Sequence, residues 1–246
     1  MSVDDSINMR EVRGYICVDG DVDLVTLDHL INNNVTSLIL SKQGNTADYS
    51  FLQKLPYIER LEISISVTSE SDYLHDLAPV NNLKSLRRLK IRGRTRGEIE
   101  FHHFTDLNEV DISWHKKYTN LFDLPKLRIL SLDSCNLSDL ACLSKLNNLS
   151  ELYLSKWGKL TSLNGVESLT NLEHLKVEYA SSLASIKGIG SLKSLKCVVL
   201  NRCSSITDLR LLSEVCGLKC LELDAMGRLQ TINFLSGKYP SGIGPT

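Results

Sequence analysis

Aromatic side chains are scarce in this chain of 246 residues, which holds two Trp, eight Tyr and five Phe. No run of eighteen apolar residues occurs, so no membrane-spanning helix is expected. A charge imbalance is also missing. Lys and Arg number 28 against 29 Asp and Glu, which removes bulk attraction to nucleic acid or an anionic membrane as an organising force. The opening Met1-Ser-Val-Asp-Asp-Ser6 has no basic patch followed by an apolar stretch, and no secretory signal is expected. Seven cysteines, an odd number, then fit reduced thiols in a cytoplasmic location better than a disulfide framework. In that setting the Asn-x-Ser/Thr triplets at Asn34, Asn136 and Asn148 are not glycan acceptors. Gly-x-Ser-x-Gly, His-Glu-x-x-His and Walker-type loops are all absent, so neither catalysis nor a cofactor is expected.

What the chain has is leucine, 43 of them, within an overall hydrophobic content of 42% that is ample for a buried core. Their placement is periodic. Leu127-Arg-Ile-Leu130-Ser-Leu132 sets a template with apolar residues at its first, fourth and sixth positions. The template recurs from Val35, Ile58, Leu86, Leu107, Leu149, Leu172, Leu195 and Leu218, with successive starts 23, 28, 21, 20, 22, 23, 23 and 23 residues apart. All 27 positions are Leu, Ile or Val, an agreement with a chance probability of about 10⁻¹⁰ at this composition. The second half of each repeat has its own rhythm. Leu160, Leu163, Val166 and Leu169 recur every third residue, as do Leu183, Ile186, Ile189 and Leu192, which fits short 3₁₀ turns rather than α-helix.

These residues resemble the leucine-rich repeat family, whose pattern is L-x-x-L-x-L-x-x-N/C-x-L, over roughly residues 35 to 235. The brevity of the repeats, with Cys135-Asn-Leu-Ser-Asp-Leu140 and Ser205-Ile-Thr-Asp-Leu209, is similar to internalin-type proteins. The resemblance implies an α/β solenoid: a curved stack with a parallel β-sheet on its concave face and 3₁₀ or short helical turns on its convex face. Residues 1–34 are expected to form an N-terminal cap, 35–235 about nine repeats, and 236–246 a loose Gly- and Pro-containing tail. Five extra residues in the second repeat predict a projecting loop within 66–76. The chain departs from the family at the ninth repeat position, where Asn or Cys is usual. Only Cys135 and Cys203 fit, and the turns at Arg94, His115 and Trp157 are expected to be irregular. An open C-terminal sheet edge permits a monomer or a weak dimer.

Alternation sends the residues between the core leucines to the concave face. One column holds Lys90, Asp111, Tyr153 and Lys176, the next Arg92, Asp133 and Glu178, and the third Trp114, Lys156, Tyr179 and Arg202; Arg88 and His174 precede the core leucines. Such a mixture reads as a protein-binding surface, with aromatic and Arg anchors and charges that set register. The plainer alternative is a solvated sheet face, but three large aromatics are costly to leave exposed without use. A protein partner is expected: a toxin domain for an immunity-type inhibitor, or an enzyme's catalytic subunit for a regulatory or targeting role. The basic stretch Arg87-Arg88-Leu-Lys90-Ile-Arg92-Gly-Arg94-Thr-Arg96 raises a nucleic-acid reading. Glu109 and Asp111 fall in the same columns of the next repeat, and cross-strand ion pairs account for it better. None of the six histidines shows a metal-ligand spacing with Cys or carboxylates, and His102-His103 reads as turn surface. Cys197 and Cys220 share a column, which makes a disulfide sterically conceivable, although a reduced pair suits the cytoplasm better.

Overall fold

Every Leu-x-Leu of the template lies in a short strand, because successive side chains of extended backbone point to opposite faces and only one face here is apolar. The computed structural model describes residues 9–43, 48–66, 75–93, 95–96, 98–115 and 118–229. The chain divides into two units between Leu124 and Pro125.

The first unit begins with a hairpin of β1 (Met9–Val12) and β2 (Tyr15–Asp19), which pair antiparallel. Arg13 and Gly14 connect them with φ of 50° and 77°, the two positive values a type I′ turn needs. Helix α1 (Leu24–Asn32) follows, its first turn capped by the Asp23 carboxylate, which accepts the Thr26 N–H at 2.8 Å. The chain then enters β3 (Ser37–Gln43), which runs parallel to β2 with Ile16 beside Leu38 and Val18 beside Leu40. Thus β2 serves as an extra repeat strand. Next come β4 (Arg60–Ser66), a two-residue β5 (His75–Asp76), β6 (Arg88–Arg92), a two-residue β7 (Thr95–Arg96) and β8 (Glu109–Ser113). β3, β4, β6 and β8 form parallel neighbours with their template residues in register; β5 and β7 pair separately. Phe101, Phe104 and Tyr118 meet edge to face with ring centroids 6.1 and 5.7 Å apart, filling space on the turn side.

The second unit is more regular. Strands β9 (Ile129–Asp133), β10 (Glu151–Ser155), β11 (His174–Glu178), β12 (Cys197–Asn201) and β13 (Cys220–Asp224) are parallel and in register. The 3₁₀ turns Ala141–Leu143, Val166–Ser168, Ile189–Ser191 and Arg210–Glu214 return the chain. The residues of period three, Leu160 through Leu169 and Leu183 through Leu192, are buried as that rhythm requires. Close stacking is visible at Gly165, where φ is 99° and an added Cβ would lie 2.4 Å from the Ala141 nitrogen.

Repeats are joined by side chains as well as by strands. Asn148, Asn171 and Ser194 donate to the carbonyls of Pro125, Asn147 and Thr170 at 2.7, 2.7 and 2.9 Å, each reaching back one repeat. The expected irregularity at Trp157 is not found. The preceding residue, Lys156, has a left-handed φ of 57°, like Ser134, Tyr179, Arg202 and Ala225 at the same place in their repeats. The buried Trp157 indole N–H donates to the Leu132 carbonyl at 3.1 Å, doing for the backbone what the usual Asn would do. Arg94 lies outside the described residues, as do most of the projected 66–76 loop and the 236–246 tail.

Candidate functional site

On the first unit's solvent face the columns form an ion-pair ladder. Lys90 Nζ lies 3.8 Å from Glu62 Oε1 and 3.7 Å from Asp111 Oδ2, carboxylates of the strands on either side. Arg88 Nε donates to Glu109 Oε2 at 2.6 Å, and its Nη1 donates to the Tyr15 hydroxyl at 3.1 Å. Cross-strand pairing therefore explains Arg88 and Lys90 within the basic stretch. Arg92 is exposed, and the Arg96 side chain lies outside the described residues. Trp114 is half-buried and stacked on Phe122, with centroids 5.3 Å apart and planes 9° from parallel. Its ring is partly a lid on the core.

The second unit's face carries the other candidates. Tyr153 is half-buried and its hydroxyl donates to Glu151 of the same strand. Asp133 receives Lys156 Nζ at 3.2 Å, and Lys176 Nζ meets Glu178 Oε1 at 3.1 Å, with Asn201 Nδ2 donating to that same oxygen at 3.4 Å. His174 is half-buried between Glu151 and Cys197 in the register. Tyr179 is 48% exposed, and the Arg202 guanidinium lies over its ring, 5.4 Å from the centroid. Of the three aromatic candidates, Tyr179 alone is exposed. Lys156, Tyr179 and Arg202 follow one another on successive repeats, all left-handed, each donating its backbone N–H to the next strand.

Cys197 and Cys220 sit side by side in the register as free thiols. Burial, and then the neighbouring Cys220 thiol, push the Cys197 thiol well above its usual range. Cys197 is therefore a poor nucleophile.

Sequence reasoning missed Tyr15 and Arg60. The Arg60 guanidinium lies 4.8 Å from the Tyr15 ring centroid while its Nε donates to Ser37 Oγ at 2.7 Å, so Tyr15 is held by Arg60 and Arg88 together. The signal was available in Ile16-Cys17-Val18, which has the spacing of a repeat strand and places Tyr15 just ahead of the core column.

No family model matches the chain, and no curated protein matches it in sequence. Solved structures do resemble it. An internalin, InlF, from Listeria monocytogenes superposes with a TM-score of 0.56 at 16% identity, covering 98% of this chain and 86% of that one. The chain has the leucine-rich-repeat fold. The leucine-rich-repeat domain of the type III effector XopL gives a TM-score of 0.58 at 16% identity, over 87% of this chain and 77% of that domain. A third structure, TLR13 in complex with a single-stranded RNA, gives 0.59 at 20% identity over 90% of this chain and only 34% of that one. The repeats here, parallel strands returned by 3₁₀ turns, resemble the short repeats of the internalins.

Proposed function

We propose that this leucine-rich-repeat chain is a non-enzymatic binding module that takes a protein partner on the solvent face of its sheet. The observation that carries the reading is the succession Lys156, Tyr179 and Arg202 in left-handed backbone. That conformation costs a non-glycine residue roughly 1–2 kcal/mol, and glycine would adopt it freely. Large side chains kept at such positions point to a use for them, and Tyr and Arg are the residue types that anchor protein interfaces. Fixed charges around them, Lys156 with Asp133 and Lys176 with Glu178, suit a partner that docks in one register.

The finer form of the proposal is a cytoplasmic inhibitor of the immunity type, which occupies a toxin domain and blocks it. The odd number of cysteines, seven, supports a reducing compartment, and the near balance of 28 basic and 29 acidic residues supports a partner matched by pattern. Nucleic acid is the weaker reading, because the Arg88 and Lys90 charges are already met by Glu109, Glu62 and Asp111.

A photo-crosslinking amino acid placed at Tyr179 tests the surface, with Lys187 on the turn side as the comparison. A defined protein adduct from Tyr179 and none from Lys187 is the expected result. Equal labelling at both positions, or none from Tyr179 in cells that express the chain, overturns the proposal. If the adduct is an enzyme whose activity survives binding, the regulatory-subunit form replaces the inhibitor.

A further inference from the structure

The turn at residues 98–104 of the first unit carries side chains that the sheet-face reading leaves unused. Phe101 and Phe104, three residues apart, are both buried with their rings in edge contact, which fixes the backbone between them. His102 and His103 are left on the outside, their ring centroids 4.0 Å apart. Glu100 stands three residues before His103, hence on the same side of a turn with three residues per cycle. Its Oε2 lies 3.0 Å from His103 Nε2 and 3.7 Å from His102 Nε2. Asn81 of the preceding turn steadies this backbone: its Oδ1 accepts the Glu100 N–H at 2.9 Å, and its Nδ2 donates to the Glu98 carbonyl at 3.0 Å. The three ligating atoms all lie within 4.8 Å of one another, and among the described residues no other trio of His, Cys or carboxylate side chains converges in this way.

We propose that Glu100, His102 and His103 form a binding site for a divalent transition metal ion, with Zn²⁺ the best suited. Bonds of about 2.1 Å in tetrahedral arrangement place ligand atoms roughly 3.4 Å apart, and the two contacts to Glu100 Oε2, at 3.0 and 3.7 Å, bracket that spacing. Two imidazoles and a single carboxylate favour zinc, copper or nickel over magnesium and calcium, which select all-oxygen shells. A simple ion pair explains one histidine beside Glu100. A cation shared by both rings and the carboxylate accounts for all three positions at once. Three protein ligands leave one place for water or for a side chain of a bound partner. The site lies on the 3₁₀ turn Phe101–His103, away from the sheet face.

Titration calorimetry of the full chain with ZnCl₂ as the probe tests the site. The wild type is expected to show a one-to-one event that weakens at least about tenfold in Glu100→Gln and in His102→Ala/His103→Ala, while the cysteines contribute equally to all three proteins. Equal affinity in the three overturns the proposal. Should the double variant fail to fold, Glu100→Gln, which keeps the side chain's size, decides alone. Co²⁺ provides a spectroscopic check: visible ligand-field bands without an intense near-ultraviolet thiolate band are expected, and a thiolate band would assign the ion to cysteine instead.

Discussion

The Arg202 guanidinium rests 5.4 Å from the centre of the Tyr179 ring, although both residues hold the left-handed backbone, at φ of 53° and 54°. A cation over an exposed aromatic face contributes about 0.5–1 kcal/mol, enough to bias the ring toward one orientation before any partner arrives. Tyr179→Ala is therefore expected to weaken association by about 2 kcal/mol. Arg202→Ala should cost less on its own, and the double variant should cost less than the sum. Calorimetry with the crosslinked partner, once purified, reads all three; an unchanged affinity for Tyr179→Ala would move the interface elsewhere.

Ala225 occupies the same left-handed position with only a methyl group. Ala225→Gly removes the backbone strain, partly offset by the greater freedom of glycine in the unfolded chain, for a net gain of roughly 0.5–1 kcal/mol. Ala225→Val should move stability the other way. Urea denaturation midpoints compare the three, and a Gly variant less stable than the wild type contradicts the reading.

Trp157 joins two repeats through its indole N–H. Trp157→Phe keeps most of the ring's burial but removes one of the hydrogen bonds to the Leu132 carbonyl, which stays within the β9–β10 ladder, at an expected cost of about 0.5–1.5 kcal/mol. Trp157→Ala should cost roughly 3–5 kcal/mol. A Phe variant as stable as the wild type would show that the bond is replaceable.

Cys197 should resist alkylation at neutral pH. Burial first, then Cys220, disfavours its thiolate, and maleimide labelling followed by mass mapping should find exposed Cys216 modified well before Cys197. Cys220→Ala removes one of the causes and should quicken labelling at Cys197.

Asp208 reports on acid behaviour. A hydrogen bond from the Arg210 side chain, then one from the Arg210 backbone N–H, draws its carboxyl from 3.8 down to about 2. The folded value lies below the unfolded one, so this contribution to stability is present above pH 3.8 and fades as pH falls toward 2. Carboxyl ¹³C titration of the native protein should give a midpoint near 2, moving upward in Arg210→Ala. A wild-type midpoint at 3.8 would be inconsistent with the bond.

The strands were legible because a buried position tolerates only apolar side chains, and Leu127, Leu130 and Leu132 repeat that demand through the chain. The 3₁₀ turns were legible for the same reason at period three. The columns were readable too, which is why Arg88 with Glu109 and Lys90 with Asp111 could be paired in advance. Exposure was less so. Trp114 counts as a surface residue by column, yet its ring stacks on Phe122, a contact set by the turn's path rather than by spacing. Trp157 breaks the usual pattern of residue types while satisfying its chemistry, since an indole N–H serves a carbonyl as well as an amide does. Glu100, His102 and His103 are close in sequence, but only the inward turn of Phe101 and Phe104 aims all three at one point.

The donors Asn148, Asn171 and Ser194 all reach the same way, from a later repeat to a backbone carbonyl of the one before. A carbonyl is present at every residue whatever its side chain. For these bonds each repeat brings its own hooks and asks no particular side chain of its predecessor. Duplication of a whole 23-residue block would deliver new hooks onto ready-made eyes, and a lineage of such chains can change length without rewriting the repeats it keeps.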